Sequence, residues 1–383
     1  MKKDTEKTKK NSATEKGNDE NIAIEKFDIS AMPNYTKNVS PYISDLFEKN
    51  GWTEYSVAYM WGTVGFLYNP ETVLKEDIST WDFFWNTDYR NRMTCKDVSR
   101  DAYVIGSLYV HRDDLREANE KYKKGEISAE ELQKIVNTAA NDTTAENIAN
   151  VEIALSDMKR NIYGFEVDSG KTDIVSGKIS ANLAWSGDAV YAMDLAEEED
   201  DKKLAFVIPN EGSTIWFDGW VMPKGANVEL AQDFVDFLCR PEIAVMNMDY
   251  IGYTSAIAGD EIFDLVCENY EEEDGEDEYD LSYFFNGTLS EDKYTDGKAI
   301  IRTNTFGRQL TTQYPSTDEV SRCGIMEDFG DRNEAVLEMW SKVKSNNITA
   351  FSYVMMAFLA LVAAFMLTSS IKKKLKKKRR MRR

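Results

Sequence analysis

The sequence predicts an α/β fold, and three observations carry that reading. Residues 183–223 run strand, turn, helix start, strand, turn, strand: Trp185 ends an apolar run and Ser186-Gly187-Asp188 opens a helix. Residues 128–139 and 142–162 show amphipathic helical spacing, with Ile148, Val151, Leu155, Met158 and Ile162 on one face. A chain of 383 residues with 42% hydrophobic content can build two cores.

In chain order, residues 1–26 are Lys- and Glu-rich with almost no large apolar side chain and are expected to be disordered; the central apolar region of a signal peptide is missing. Residues 55–59 alternate as a strand, and the glycines in Trp61-Gly62-Thr63-Val64-Gly65 mark a turn or a close backbone approach. Residues 80–91 read as a short helix with a Trp-Phe-Phe-Trp face, and 93–101 as a strand and loop opening a helix over 102–110. At that helix start Asp97 or Asp101 serves either the helix dipole or a ligand.

Residues 204–209 form a further strand closed by the turn Pro209-Asn210-Glu211-Gly212. In the next extended segment Trp216 and Asp218 share a side, because strand side chains alternate with period two. An indole face beside a carboxylate suits a flexible organic cation, although core packing of Trp185 and Trp216 is the plain alternative. Asn227 caps a helix with Leu230, Ala231, Phe234, Val235 and Leu238 as its apolar stripe, and 260–280 is a solvated acidic loop without calcium-loop spacing.

Ten of the 46 Lys and Arg residues lie in 372–383, so the remaining chain carries 36 basic residues against 67 acidic ones. Such a body repels nucleic acid and attracts cations. Just before that tail, 348–371 holds 24 residues without a charge, about 36 Å as a helix and long enough to span a bilayer. The positive-inside rule puts the tail in the cytoplasm and the acidic body outside.

The single His111 leaves little room for His-based catalysis, and no nucleophile-elbow, phosphate-loop or dinucleotide motif occurs. Cys95, Cys239, Cys267 and Cys323 are scattered without zinc spacing, leaving buried thiols or, outside the cytoplasm, a disulfide. The expectation is a binding protein, not an enzyme, with no metal and no cofactor.

The succession AWSGDA, VIPNEGS, WFDGWVMPKGAN, FVDFLCRPEIA and IGYTSA, preceded by Tyr59-Met60-Trp61-Gly62-Thr63, TWDFFWNTDYRNRM and Arg100-Asp101, resembles the polyamine (spermidine/putrescine)-binding proteins of bacterial ABC importers. The likeness spans residues 27–344. It implies a type II periplasmic-binding-protein-like, two-lobed fold. Residues 27–62 would be the remainder of lobe I and the hinge, 63–218 lobe II, 219–345 the return to lobe I with C-terminal helices, 346–371 a transmembrane helix, and 372–383 a basic cytoplasmic tail.

The start of lobe I and a secretory signal are both absent from the resemblance, so the chain reads as the downstream part of a longer or split gene product. The resemblance further implies that Trp185 and Trp216 stack on ligand methylenes, that Asp218 and Asp101 pair with ammonium groups with Asp97 in support, and that Tyr59 and Trp61 line the hinge. Asp101 matches one acidic position of the family's loop, whereas the other is occupied by Val98. The implied partners are a polyamine, ABC permease subunits and, through the C-terminal helix, membrane lipid. The competing expectation is a truncated or accessory membrane-anchored interaction protein that keeps lobe II without transport-competent binding.

Overall fold

A computed structural model describes residues 23–345 together with Met355, Phe358, Leu359, Leu361, Val362, Met366 and Thr368. Its strands are β1 (Ile24–Glu25), β2 (Val57–Tyr68), β3 (Met93–Lys96), β4 (Gly164–Glu166), β5 (Ala181–Trp185), β6 (Ala205–Val207), β7 (Ser213–Trp220), β8 (Met222–Pro223), β9 (Thr254–Ser255), β10 (Asp277–Asp280), β11 (Ile300–Thr303) and β12 (Cys323–Ile325). Eight of them form one mixed sheet in the order β12-β7-β2-β5-β3-β4, with β6 and β9 also paired to β2. The 12-residue β2 is the spine. It reads as a nearly continuous apolar run because both its faces are covered.

The first half of β2 pairs antiparallel with β7 and β9, the second half with β5 and β6, while β3 lies parallel to β4 and β5. Gly62 and Gly65 therefore sit inside a strand and make no turn. Each serves a close approach: a Cβ on Gly62 would stand 2.3 Å from Ser186 Oγ and 2.6 Å from the Trp216 ring, and one on Gly65 2.5 Å from the Phe206 ring.

Alternation along β2 divides the core in two. Val64, Phe66 and Tyr68 pack with Trp81, Phe83 and Phe84 beneath the helices Ser99–Val110, Ala129–Ala140, Ala145–Lys159 and Asn333–Lys344. Val57, Trp61 and Leu67 join the other cluster, under the helices Pro41–Lys49, Ser186–Asp200, Pro241–Ile251 and Asp260–Tyr270.

Several sequence expectations are corrected. The polar leader does not extend to residue 26, since β1 pairs antiparallel with β8; residues 1–22 lie outside the described residues. Residues 80–91 form two short 3₁₀ helices, Trp81–Trp85 and Thr87–Tyr89, instead of one continuous helix. Asn86 accepts the Asp88 N–H between them, and the Trp81 indole donates to the Gly212 carbonyl at 2.8 Å.

Asn227 does cap the helix Val228–Leu238, accepting the Leu230 N–H, and Val235 is buried with Ala231 packed against the core, yet the rest of the apolar stripe is not all inward. Leu230 and Phe234 are 65% and 54% exposed. Gln232 and Asp236 are buried beside Val235, because Gln232 accepts the Asp28 N–H and Asp236 accepts both the Tyr35 N–H and the Asn34 amide. The acidic stretch 260–280 also contains more order than a loop: the helix Asp260–Tyr270 and the strand β10, which pairs with β11.

All four cysteines are free thiols, so the disulfide alternative falls. Among the described residues no helix is long and apolar enough to cross a membrane. Most of the expected span lies outside those residues; its seven described members are helical, and all but Val362 are exposed.

Candidate functional site

Two indoles stand on one face of the sheet because of strand register. Trp185 on β5 is opposite Val64, and Trp216 on β7 is opposite Gly62, so the two Trp residues flank β2 at positions of equal parity. The bare Gly62 lets the Trp216 ring lie across the spine. The Trp216 Nε1–H donates to the Thr63 carbonyl at 3.3 Å, and Tyr253 is tilted against its ring at a centroid distance of 5.3 Å. Gly187 admits Tyr253 in turn, for a Cβ there would meet the Tyr253 ring at 1.8 Å.

Asp218 follows Trp216 on the same face, opposite Met60. The residue is exposed, but partial desolvation still raises its carboxyl above the ordinary range. Tyr59 and Trp220 pack together nearby at 5.1 Å, and the Tyr59 hydroxyl is raised first by burial and then by the Asp218 charge. A cavity of about 270 Å³ borders this end, lined among others by Trp216, Phe217, Trp52, Arg100 and Met326.

Asp101 lies in the first turn of the helix Ser99–Val110 and is 5% exposed. Burial pushes its carboxyl up to about 6, opposed by the Lys96 charge, the Trp185 indole N–H and Arg100. Lys96, the last residue of β3, is 1% exposed. Its ammonium lies 4.4 Å from the centroid of the Trp185 ring, 3.3 Å from Asp188 Oδ2 and 3.7 Å from Glu166 Oε1, and it donates to the Val167 carbonyl at 3.0 Å. Asp188, in the first turn of the helix Ser186–Asp200, also accepts from Lys171 Nζ and the Tyr253 hydroxyl, each at 3.0 Å. This network continues from the Trp185 end to the Trp216 end through Tyr253.

The structure thus brings Trp185 and Asp101 together at one end and Trp216, Asp218 and Tyr59 at the other. Two expected residues are elsewhere. Trp61 is fully buried and stacked on Phe284 with an interplanar angle of 15°, so it belongs to the core. The register shift between Ala58 and Met60 breaks the simple alternation that would have kept Trp61 on the side of Tyr59. Asp97 is turned to the C-terminal helix, where Lys344 holds its oxygens at 2.6 and 2.8 Å.

Sequence reasoning missed Lys96, Asp188 and Tyr253. Lys96 had a signal, as a charge closing the otherwise buried strand Met-Thr-Cys-Lys; Asp188 and Tyr253 lay within AWSGDA and IGYTSA but read as a helix start and a turn.

The family of bacterial extracellular solute-binding proteins matches residues 12–259. A spermidine/putrescine-binding periplasmic protein of Salmonella typhimurium is 24% identical over 231 residues, 60% of this chain and 57% of that protein. A putrescine-binding periplasmic protein of Pseudomonas aeruginosa is 27% identical over 242 residues, covering 61% of this chain and 60% of its own length. The chain therefore spans less than two thirds of the length of these curated relatives.

Among solved structures, a spermidine/putrescine ABC transporter substrate-binding protein from Streptococcus pneumoniae superposes with a TM-score of 0.53 at 20% identity, over 84% of this chain and 79% of that one. A lipoprotein of Treponema pallidum gives 0.56 at 20% identity, over 84% and 78%. These likenesses establish a mixed α/β, periplasmic-binding-protein-like fold. The relatives bind solutes for transport and are not enzymes. On a match that covers well over half of its residues, and on a sheet with aromatic and acidic side chains gathered on one face, this chain belongs to the bacterial extracellular solute-binding protein family.

Proposed function

We propose that the chain is the extracytoplasmic solute-binding component of an ABC-type importer for a polyamine such as putrescine or spermidine. The observation that carries the reading is the pairing of indole and carboxylate at both ends of one face: Trp216 with Asp218, and Trp185 with Asp101. An alkyl chain between ammonium groups lies against the rings while its charges meet the carboxylates. The names of the relatives support the same class of solute.

In this reading 63–218 forms lobe II and the flanking parts form lobe I. Closure of the lobes on the ligand makes the shape that permease subunits recognise. Residues 346–371 span the membrane in contact with lipid, the tail 372–383 is cytoplasmic, and the acidic body faces outward.

Calorimetric titration of the full chain in detergent micelles with putrescine and spermidine tests the proposal. Saturable binding is expected. Asp218→Ala should weaken it by about 2 kcal/mol or more, the cost of leaving an enclosed ammonium without its partner.

A second reading, an accessory anchored protein that binds no transport ligand, draws on the Asp97 carboxylate already being held by Lys344. A folded chain giving no heat with either amine would favour it.

A further inference from the structure

Lys96 is unusual for the place it occupies. An ammonium that is 1% exposed must be paired to be tolerated, and this one is placed as a bound amine would be: over an indole face, beside a carboxylate, with a backbone carbonyl as acceptor. Asp188 is fully engaged, by Lys96, Lys171 and Tyr253. Glu166, the other carboxylate within reach of Lys96, accepts from the Gly170 N–H at 2.7 Å and the Asn182 amide at 2.9 Å. Among the described residues, Asp101 and Asp218 have no ion-pair partner within 4.0 Å.

We infer that Lys96 is a specificity-determining residue whose side chain supplies, from the protein itself, the ammonium of one cation position at the Trp185–Asp188 end. The inference rests on the amine-binding reading above and narrows it. Asp101, which feels the Lys96 and Arg100 charges without forming a salt bridge, and Asp218 remain for the ligand, so the site takes a diamine with one ammonium for each. The diamine's ammonium at Asp101 has that carboxylate to offset the Lys96 charge, whereas a triamine's additional ammonium has none and either meets like-charge repulsion in a poorly solvated pocket or stays outside the closed site.

The test is calorimetric titration of the full chain in detergent micelles with putrescine and with spermidine, for wild type, Lys96→Met and Lys96→Gln. The wild type is expected to bind putrescine at least about tenfold more tightly than spermidine. Both substitutions should raise the ratio of spermidine to putrescine affinity about tenfold or more. The Gln variant keeps a donor for the Val167 carbonyl, and Asp188 retains Lys171 and Tyr253 in either variant, which favours folding.

Wild type binding spermidine as tightly as putrescine, or a ratio left unchanged in the folded variants, overturns the inference while leaving the amine reading intact. The wild-type ratio decides even where a variant does not fold. Absence of binding to either amine, by wild type and variants alike, overturns the amine reading and the inference with it.

Discussion

The Asp101 carboxyl is held at about 6 chiefly by burial, against the Lys96 ammonium and the Trp185 indole N–H, so its charge state changes within an accessible pH range. In the proposed pairing with a ligand ammonium, Asp101 acts in its ionised form. The affinity of the full chain for putrescine should therefore fall about tenfold between pH 7 and pH 5, with proton release on binding near pH 6. Asp101→Asn should bind weakly at both values and lose the dependence; calorimetry in buffers of differing ionisation heat measures both. Stability has the opposite sign. The folded state keeps a proton that the unfolded chain releases from about pH 4, so the contribution is fully present below that value and is lost as pH rises through about 6. By about pH 7 the loss approaches 3 kcal/mol, which Asp101→Asn should recover in denaturant unfolding.

At the scale of elements, the long strand β2 does the organising. A strand of 12 residues buried on both sides can hold β7 on one half and β5 on the other, which puts Trp185 and Trp216 in register from opposite edges. The irregularity between Ala58 and Met60 then sends Tyr59 toward Trp220 and Trp61 into the core. The helix Val228–Leu238 illustrates a different control. Its hydrophobic period is helical, but its orientation is set by the buried acceptors Gln232 and Asp236 and the segment that they bind. Because Leu230 and Phe234 are exposed, changing both to Ser should alter the stability of the isolated chain by no more than about 0.5 kcal/mol each. Asp236→Ala should cost about 1–3 kcal/mol, since it strands a buried N–H and an amide. Urea unfolding followed by tryptophan fluorescence compares them.

For the whole molecule, the contrast between an acidic body and a basic end is the basis of the proposed orientation. With the span 346–371 as an anchor, full-length chain expressed in bacteria should sediment with membranes and resist alkaline carbonate, whereas a chain ending at Ser345 should be released into the soluble fraction. Protease added to intact spheroplasts should digest the body and spare the tail; carbonate-soluble full-length chain would overturn the anchor. In the proposed role such tethering would keep the binding face within reach of membrane permease subunits and raise their effective concentration.

The sequence by itself determined the α/β class, the strand–helix junction at Trp185 and Ser186, the placement of Trp216 and Asp218 on one side, and the cap at Asn227. Each depends on local propensity or on a short period, which neighbouring residues fully encode. The family resemblance added Asp101 and Tyr59 to the candidate site. Tertiary structure alone decided that Trp61 is core, that Asp97 is claimed by Lys344, and that Lys96 covers the Trp185 face beside Asp188. Lys96 and Asp188 are 92 residues apart, and Asp97 and Lys344 are 247 apart. A side chain's partner across such distances follows from strand order and register, which no local pattern contains.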